Sequence, residues 1–257
     1  MRVYILFIAL VLSTTAQALY NGNPGLTESI EDGIFFSKDC NYSIKVGAQC
    51  DYVFDRKMKG KGEAEGQVDN FTILQNQGTL TFNMQDRVEA YGSAGSFHAE
   101  FANEPHSDHK RREYGTHDHF TWGAGLRAVV FHWGNALMGI DGKYQSAITP
   151  VMWNTLNGEA LPPASRLECR EWQVATSMAY EAGMFIPYAG LTYAHTYAKV
   201  NGIDPALLVP GSFKMTNRER FGLALGCTLA PGCIVDLSIE ARFFSEQALT
   251  LAGDIKF

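Results

Sequence analysis

From residue 247 to the carboxy terminus the chain alternates without a break. Leu249, Leu251, Gly253, Ile255 and Phe257 fall on one face of a strand, and Ala248, Thr250, Ala252, Asp254 and Lys256 on the other. Successive side chains of a strand point to opposite faces, so a two-residue period with charge on one side only describes a strand dry on one face and wet on the other. A soluble sheet also uses such strands. The environment has to be read from the rest of the chain.

The amino terminus suggests export. Met1-Arg2 is a short positive start, residues 3–12 are apolar, and Ala16-Gln17-Ala18 is a small-residue cleavage motif. This arrangement predicts a signal peptide over residues 1–18 and a mature chain from Leu19. No later stretch approaches the roughly 18 or more apolar residues of a membrane-spanning helix, so an exported chain of this kind enters a membrane only as a closed barrel. The net charge of −6, without basic runs, argues against nucleic acid as a partner. Cys40, Cys50, Cys169, Cys227 and Cys233 all lie in the exported part and fit no zinc or redox spacing, so no cofactor is expected. Their odd number leaves one thiol for a partner chain in an oxidising compartment.

The alternation predicts strands over residues 43–54, 70–82, 85–101, 120–131, 136–144, 171–180, 185–197, 218–228, 233–244 and 247–257. Residues 19–42 lack a clean period and read as an irregular segment that can fold back under or into the barrel of residues 43–257. The connections 55–69, 103–119, 145–170 and 200–217 are long, and those between them are short. Long loops on one side and tight turns on the other are the pattern of an outer-membrane barrel, whose strand number is even when both termini are periplasmic. That parity keeps the weak strand at 70–82 and sets the count at about ten, within a range of eight to twelve.

The two faces separate membrane from water. One collects Val46, Trp122, Leu126, Ile140, Val174, Met178, Leu191, Leu223, Leu225, Leu237, Ile239 and Leu251. The other carries Lys45, Arg87, Arg127, Lys143, Arg242 and Lys256 with Asp51, Glu89, Asp141, Glu171, Asp236, Glu240 and Asp254. So many charges in a dry soluble core would be prohibitive in desolvation. Lipid outside and charge inside is the consistent assignment: an all-β chain, a transmembrane antiparallel β-barrel in a bacterial outer membrane.

Several blocks resemble the chlamydial major outer membrane protein family. EWQVATSMAYEAGMFIPYAGLTYAHT (residues 171–196) is similar to a hairpin of that family, with its EWQ opening and MF-x-PY-x-G turn. GAQCDYVFDR (47–56), MQDRVEAYG (84–92), GLRAVVFHWGNALMG (125–139) and SIEARFFSEQALTLAGDIKF (238–257) resemble further blocks in the same order. The resemblance implies an outer-membrane barrel with porin activity and a structural role in a disulfide-linked envelope with its partner proteins; a homo-oligomer is a separate expectation. The chain is shorter than the family's usual member and has fewer cysteines, which implies fewer strands and less cross-linking. The terminal Phe257 resembles the closing residue of outer-membrane barrels and implies recognition by the barrel-assembly machinery.

Within the barrel, Lys45, Asp51, Arg87, Glu89, Arg127, Asp141, Lys143, Asp236, Glu240 and Arg242 are candidates for a constriction that selects solutes by charge. The competing reading is that they pair across the lumen and fill it, because ten strands lie near the closed end of barrel sizes. Cys227 and Cys233 flank a short hairpin link, where opposed positions come within disulfide reach. His106, His109, His117 and His119, in a polar loop, have loose spacings that favour a solvated loop over a metal site. Ten-stranded outer-membrane proteases share the strand number, but no paired catalytic blocks appear here, so the chain reads as no enzyme. The function expected is porin-type passive diffusion of small solutes. The alternative is a structural outer-membrane protein with a filled lumen.

Overall fold

A computed structural model describes residues 20, 22–24, 42–61, 66–85, 87–105, 109–162, 165–203, 212–231 and 234–257. The expected signal peptide lies outside them, as does most of the irregular segment that follows. Among the described residues no helix is long and apolar enough to cross a membrane, and strands dominate. In chain order they are β1 (Tyr42–Arg56), β2 (Met58–Lys61), β3 (Gly66–Met84), β4 (Val88–Pro105), β5 (Arg112–Thr116), β6 (His119–Trp133) and β7 (Ala136–Leu156). There follow β8 (Glu159–Leu161), β9 (Arg166–Tyr180), β10 (Phe185–Asn201), β11 (Ser212–Asn217), β12 (Phe221–Leu229), β13 (Val235–Phe243) and β14 (Glu246–Lys256).

Ten of these close a ring. β1, β3, β4, β6, β7, β9, β10, β12, β13 and β14 pair antiparallel in that order, and β14 returns to β1 from Lys45↔Lys256 to Arg56↔Glu246. Closure leaves no unpaired edge, which the hydrocarbon interior of a membrane demands. The ten-stranded barrel expected from the sequence is the one observed.

The short strands narrow this ring at its long-loop end. β2 continues β1 beyond Lys57, β5 leads into β6, and β11 leads into β12. β13 and β14 stop early, joined by Phe244 and Ser245. Above their tip β2 pairs directly with β11, from Lys61↔Lys214 to Asn217↔Met58. Lys57 N donates to Ser245 O (3.3 Å) and Arg218 N donates to Lys57 O (2.7 Å), sealing the seam. Beyond that point the ring is β2, β3, β4, β5, β7, β9, β10 and β11, an eight-stranded collar.

Polarity inverts at the same level. Below it the inner wall is charged, and the outer wall presents exposed Val46, Trp122, Leu126, Ile140, Val174, Met178, Leu191, Leu225, Ile239 and Leu251. In the collar the inner wall is apolar, with Val68, Phe71, Phe101, Tyr114, Leu167, Val200, Phe213 and Met215 in one cluster. Its outer wall carries Lys59, Lys61, Arg166, Arg170, Lys199 and Lys214. One set of strands therefore encloses a charged interior at one end and an apolar interior at the other, while Ile148, Met152 and Trp153 of β7 remain exposed on the collar's outer wall.

Several loop expectations are corrected by this inversion. Residues 145–170 are mostly strand, since β7 runs to Leu156 and β9 starts at Arg166. Residues 55–69, 103–119 and 200–217 hold β2 with the start of β3, β5, and β11. Cys169, expected in an outer loop, is buried on the inner face of β9. Arg87, expected on the inner wall, stands exposed in the turn before β4.

An arginine at Leu191 of β10 faces lipid, whereas one at Asn201, ten residues along the same outward phase, faces water on the collar. Leu191→Arg is expected to weaken the barrel by about 2–4 kcal/mol and block its assembly. Asn201→Arg is expected to stay within about 0.5 kcal/mol of the parent. Heat-modifiable mobility and urea unfolding of both variants test where the lipid-facing band ends.

Candidate functional site

The lumen is the interior that the described strands enclose, and it is filled in layers. At the collar, Phe71 of β3, Phe101 of β4 and Tyr114 of β5 stack at 5.2 and 5.1 Å between ring centroids. Phe213 of β11 meets Phe101 at 6.2 Å and Tyr114 at 5.8 Å. β5 and β11 stand opposite each other in the ring of eight, so the Tyr114–Phe213 contact spans the full bore. An eight-stranded interior is just wide enough for side chains to fill. Burial pushes the Tyr114 hydroxyl up to about 12, against the nearby charge of Arg112.

Directly beneath the cap lies an ion-paired layer. Arg56 pairs with Glu171 and with Glu246 (2.5 Å), and Arg242 pairs with Glu246 (2.8 Å), Glu240 (2.7 Å) and Asp51 (3.3 Å). Tyr188 donates to Glu240 (2.9 Å), and Thr250 donates to Asp51. A second layer joins Lys45 to Glu89 (2.6 Å), Glu89 to Arg127 (3.2 Å) and Tyr91 to Asp141 (2.9 Å). Arg127 Nε is 3.3 Å from Asp141, inside ion-pair reach but outside hydrogen-bond geometry. Lys143 stands 3.8 Å from Asp141. Asp236 faces Asp254 across the β13–β14 ladder, and its carboxylate has no hydrogen-bond partner among the described residues. A void of about 50 Å³ remains, lined by Tyr20, Gln49, Gln77, Thr79, Arg127 and Asp254 among others. That is room for a few waters.

Residues 20 and 22–24 are seated inside the turn end. Tyr20 is buried, and buried Asn23 donates to Ile186 O and to Thr228 Oγ1, each at 3.0 Å. Gly22 has φ +75°, and a Cβ there would come within 1.9 Å of the Arg127 guanidinium. Gly139 plays the same part on the wall, where a Cβ would meet Pro24 at 2.5 Å. Glycine at both positions lets residues 22–24 lie against the charged layer.

Of the residues singled out from the sequence, Lys45, Asp51, Glu89, Arg127, Asp141, Lys143, Asp236, Glu240 and Arg242 stand on the inner wall, and Arg87 does not. Arg56 and Glu246 were missed. Strict alternation puts Arg56 in phase with lipid-facing Phe54, but the bulge between Val53 and Asp55 turns it inward. Glu246 is in phase with Ala248 and Thr250, and carrying the alternation back by one turn of the pleat would have found it. Cys233 and His106 lie outside the described residues. The ladder sets Cys227 opposite Ile239, on the outward phase of β12, and the expected Cys227–Cys233 bridge has its second cysteine outside the described residues. His109, His117 and His119 are exposed, and the described residues contain no group of three or more His, Cys, Asp or Glu able to hold a metal.

No protein-family model matches the chain. It is 20% identical to the major outer membrane porin, serovar B, of Chlamydia trachomatis, and 22% identical to the major outer membrane porin of Chlamydia psittaci. Each alignment covers 98% of this chain and 98% of the relative. They run over 386 and 384 positions, against 257 residues here, so the relatives carry long insertions. Among solved structures, the outer membrane protease OmpT from Escherichia coli has a TM-score of 0.41 and 7% identity, over 84% of this chain and 93% of that one. An outer membrane channel from Pseudomonas putida F1 has a TM-score of 0.41 and 10% identity, over 88% and 98%. The chain is a bacterial outer-membrane β-barrel, similar along its length to proteins named as porins.

Removing one partner from a buried ion network leaves the others uncompensated. Arg242→Met is expected to destabilise the folded barrel by about 3–5 kcal/mol, since Asp51, Glu240 and Glu246 then lose a shared cation. Urea unfolding in detergent measures it. Gly22→Ala is expected to release the amino-terminal segment at a cost of about 1–3 kcal/mol. Faster proteolysis near Tyr20, with the barrel intact, is the result that checks it.

Proposed function

We propose that this protein is a structural outer-membrane barrel whose lumen is closed. The observation that carries the reading is the contact between Tyr114 and Phe213, from opposite walls of the collar. The ion-paired layers and the seated Tyr20 and Asn23 support it, because a solute crossing the barrel would have to part all three. The inner-wall charges serve to bind the walls to one another and take no catalytic role.

Envelope linkage through disulfides rests on few thiols. Cys50 and Cys227 lie on the outward, lipid-facing phase of β1 and β12, and Cys169 is buried in the cap. A cross-link to partner proteins therefore falls to Cys40 or Cys233. Phe257, whose backbone N donates to Ile44 O (2.8 Å), closes the last strand and serves as the signal for the assembly machinery.

Passive diffusion of small solutes is the second reading, favoured by the porin names of the relatives. It requires the cap rings to swing aside. Refolded full-length protein in a planar bilayer separates the two. Folded, heat-modifiable barrels that pass no current are expected. Discrete ohmic steps from the same preparation would overturn the structural reading in favour of diffusion.

A further inference from the structure

One sector of the collar's outer face is rich in lysine. Lys61 of β2 is directly opposite Lys214 of β11, which is directly opposite Lys199 of β10, and the acid across from Lys199, Glu168 of β9, is paired with Arg170. Lys59 and Lys57 follow toward the membrane on the same face of β2 and its link to β1. None of the five forms an ion pair among the described residues. Like charges directly opposed in a ladder destabilise it. Five unpaired lysines on neighbouring strands, in a chain of net charge −6, therefore mark a surface suited to anions.

The height of the cluster says which anions. Below it on neighbouring strands, Trp172 and Tyr193 approach at 5.5 Å, and Tyr193 and Phe221 at 5.2 Å, on the outward face. Aromatic girdles of this kind sit where the hydrocarbon gives way to headgroups. Lys57 is bonded to Ser245, beside exposed Phe244 at the tip of the lipid-facing hairpin. Lys199 stands six residues beyond Tyr193, about 20 Å along a tilted strand. The lysines thus begin at the polar edge of the membrane, and their flexible stems reach back toward it.

We propose that this face of the collar, formed by β2, β11 and β10, binds the phosphate groups of the phosphorylated glycolipid in the outer leaflet. Ammonium groups serve as point charges for phosphate. Lysines near an anionic membrane surface are drawn to its headgroups. The lipid would neutralise the opposed lysines and hold the barrel at a fixed depth and rotation among its neighbours. None of this depends on whether the lumen conducts.

Full-length protein refolded in zwitterionic detergent is titrated with diphosphorylated lipid A and with its dephosphorylated form, and bound lipid is read by native mass spectrometry. The parent is expected to prefer the diphosphorylated lipid at least about tenfold, and Lys110→Gln, on the opposite side of the collar, to keep that preference. Replacing Lys57, Lys59, Lys61, Lys199 and Lys214 by Gln should abolish it while heat-modifiable mobility is retained. If the fivefold variant does not fold, Lys214→Gln alone and a rise in salt should each weaken the preference in folded protein. Equal binding of the two lipids by the parent, or a preference that survives the lysine substitutions, overturns the proposal. Tighter binding of soluble heparin than of the lipid overturns it as well, and assigns the face to a sulfated glycan.

Discussion

The ladder between β2 and β11 is the contact on which the rest of the structure depends. Because β13 and β14 turn back at Phe244 and Ser245, the wall above them would carry a gap two strands wide. Backbone pairing from Lys61↔Lys214 to Asn217↔Met58 closes it. The closure reduces ten strands to eight, and an eight-stranded bore is filled by its own side chains. The apolar cap is thus a consequence of strand number, and the ion-paired layers beneath it are shielded from outside water by the same closure.

Shielding explains the form of those layers. A carboxylate and an ammonium in a wide aqueous pore gain little from each other, because water and salt screen them. Under the cap, with ion pairs filling the bore, each charge needs a near partner. Arg56 and Arg242 accordingly share Glu246, and Lys45 and Arg127 share Glu89. Among the described residues beneath the cap six inner-wall bases meet eight acids, and Asp236 opposite Asp254 is where that excess is local.

The sequence was legible where a strand keeps one polarity along its length. β13 and β14 alternate cleanly, and the lipid-facing residues of β6, β9 and β10 all stand outside. It was illegible where polarity inverts partway up a strand. In β7, Asp141, Lys143 and Gln145 face inward below, and Ala147 and Val151 face inward above, so no single amphipathic pattern spans the strand. Bulges hid the rest. At Asn70, with φ 51°, an extra residue keeps both Val68 and Phe71 on the inner face, though they are three apart. The bulge after Val53 brings Arg56 inward against strict alternation, and so concealed one of the two arginines that organise the lumen.

The inversion that defeats a simple reading also fixes where the barrel sits. A strand apolar outside and charged inside is stable only in lipid, and one charged outside and apolar inside only in water. Joining the two on the same strands makes the level at which polarity changes a property of the fold itself, set by the register of the β13–β14 tip against Lys57 and Arg218. Sliding outward would expose Leu191 and Phe221 to water, and sliding inward would draw Lys59 and Lys214 into hydrocarbon. The membrane boundary must therefore lie at the tip of the short hairpin, where the ring passes from ten strands to eight.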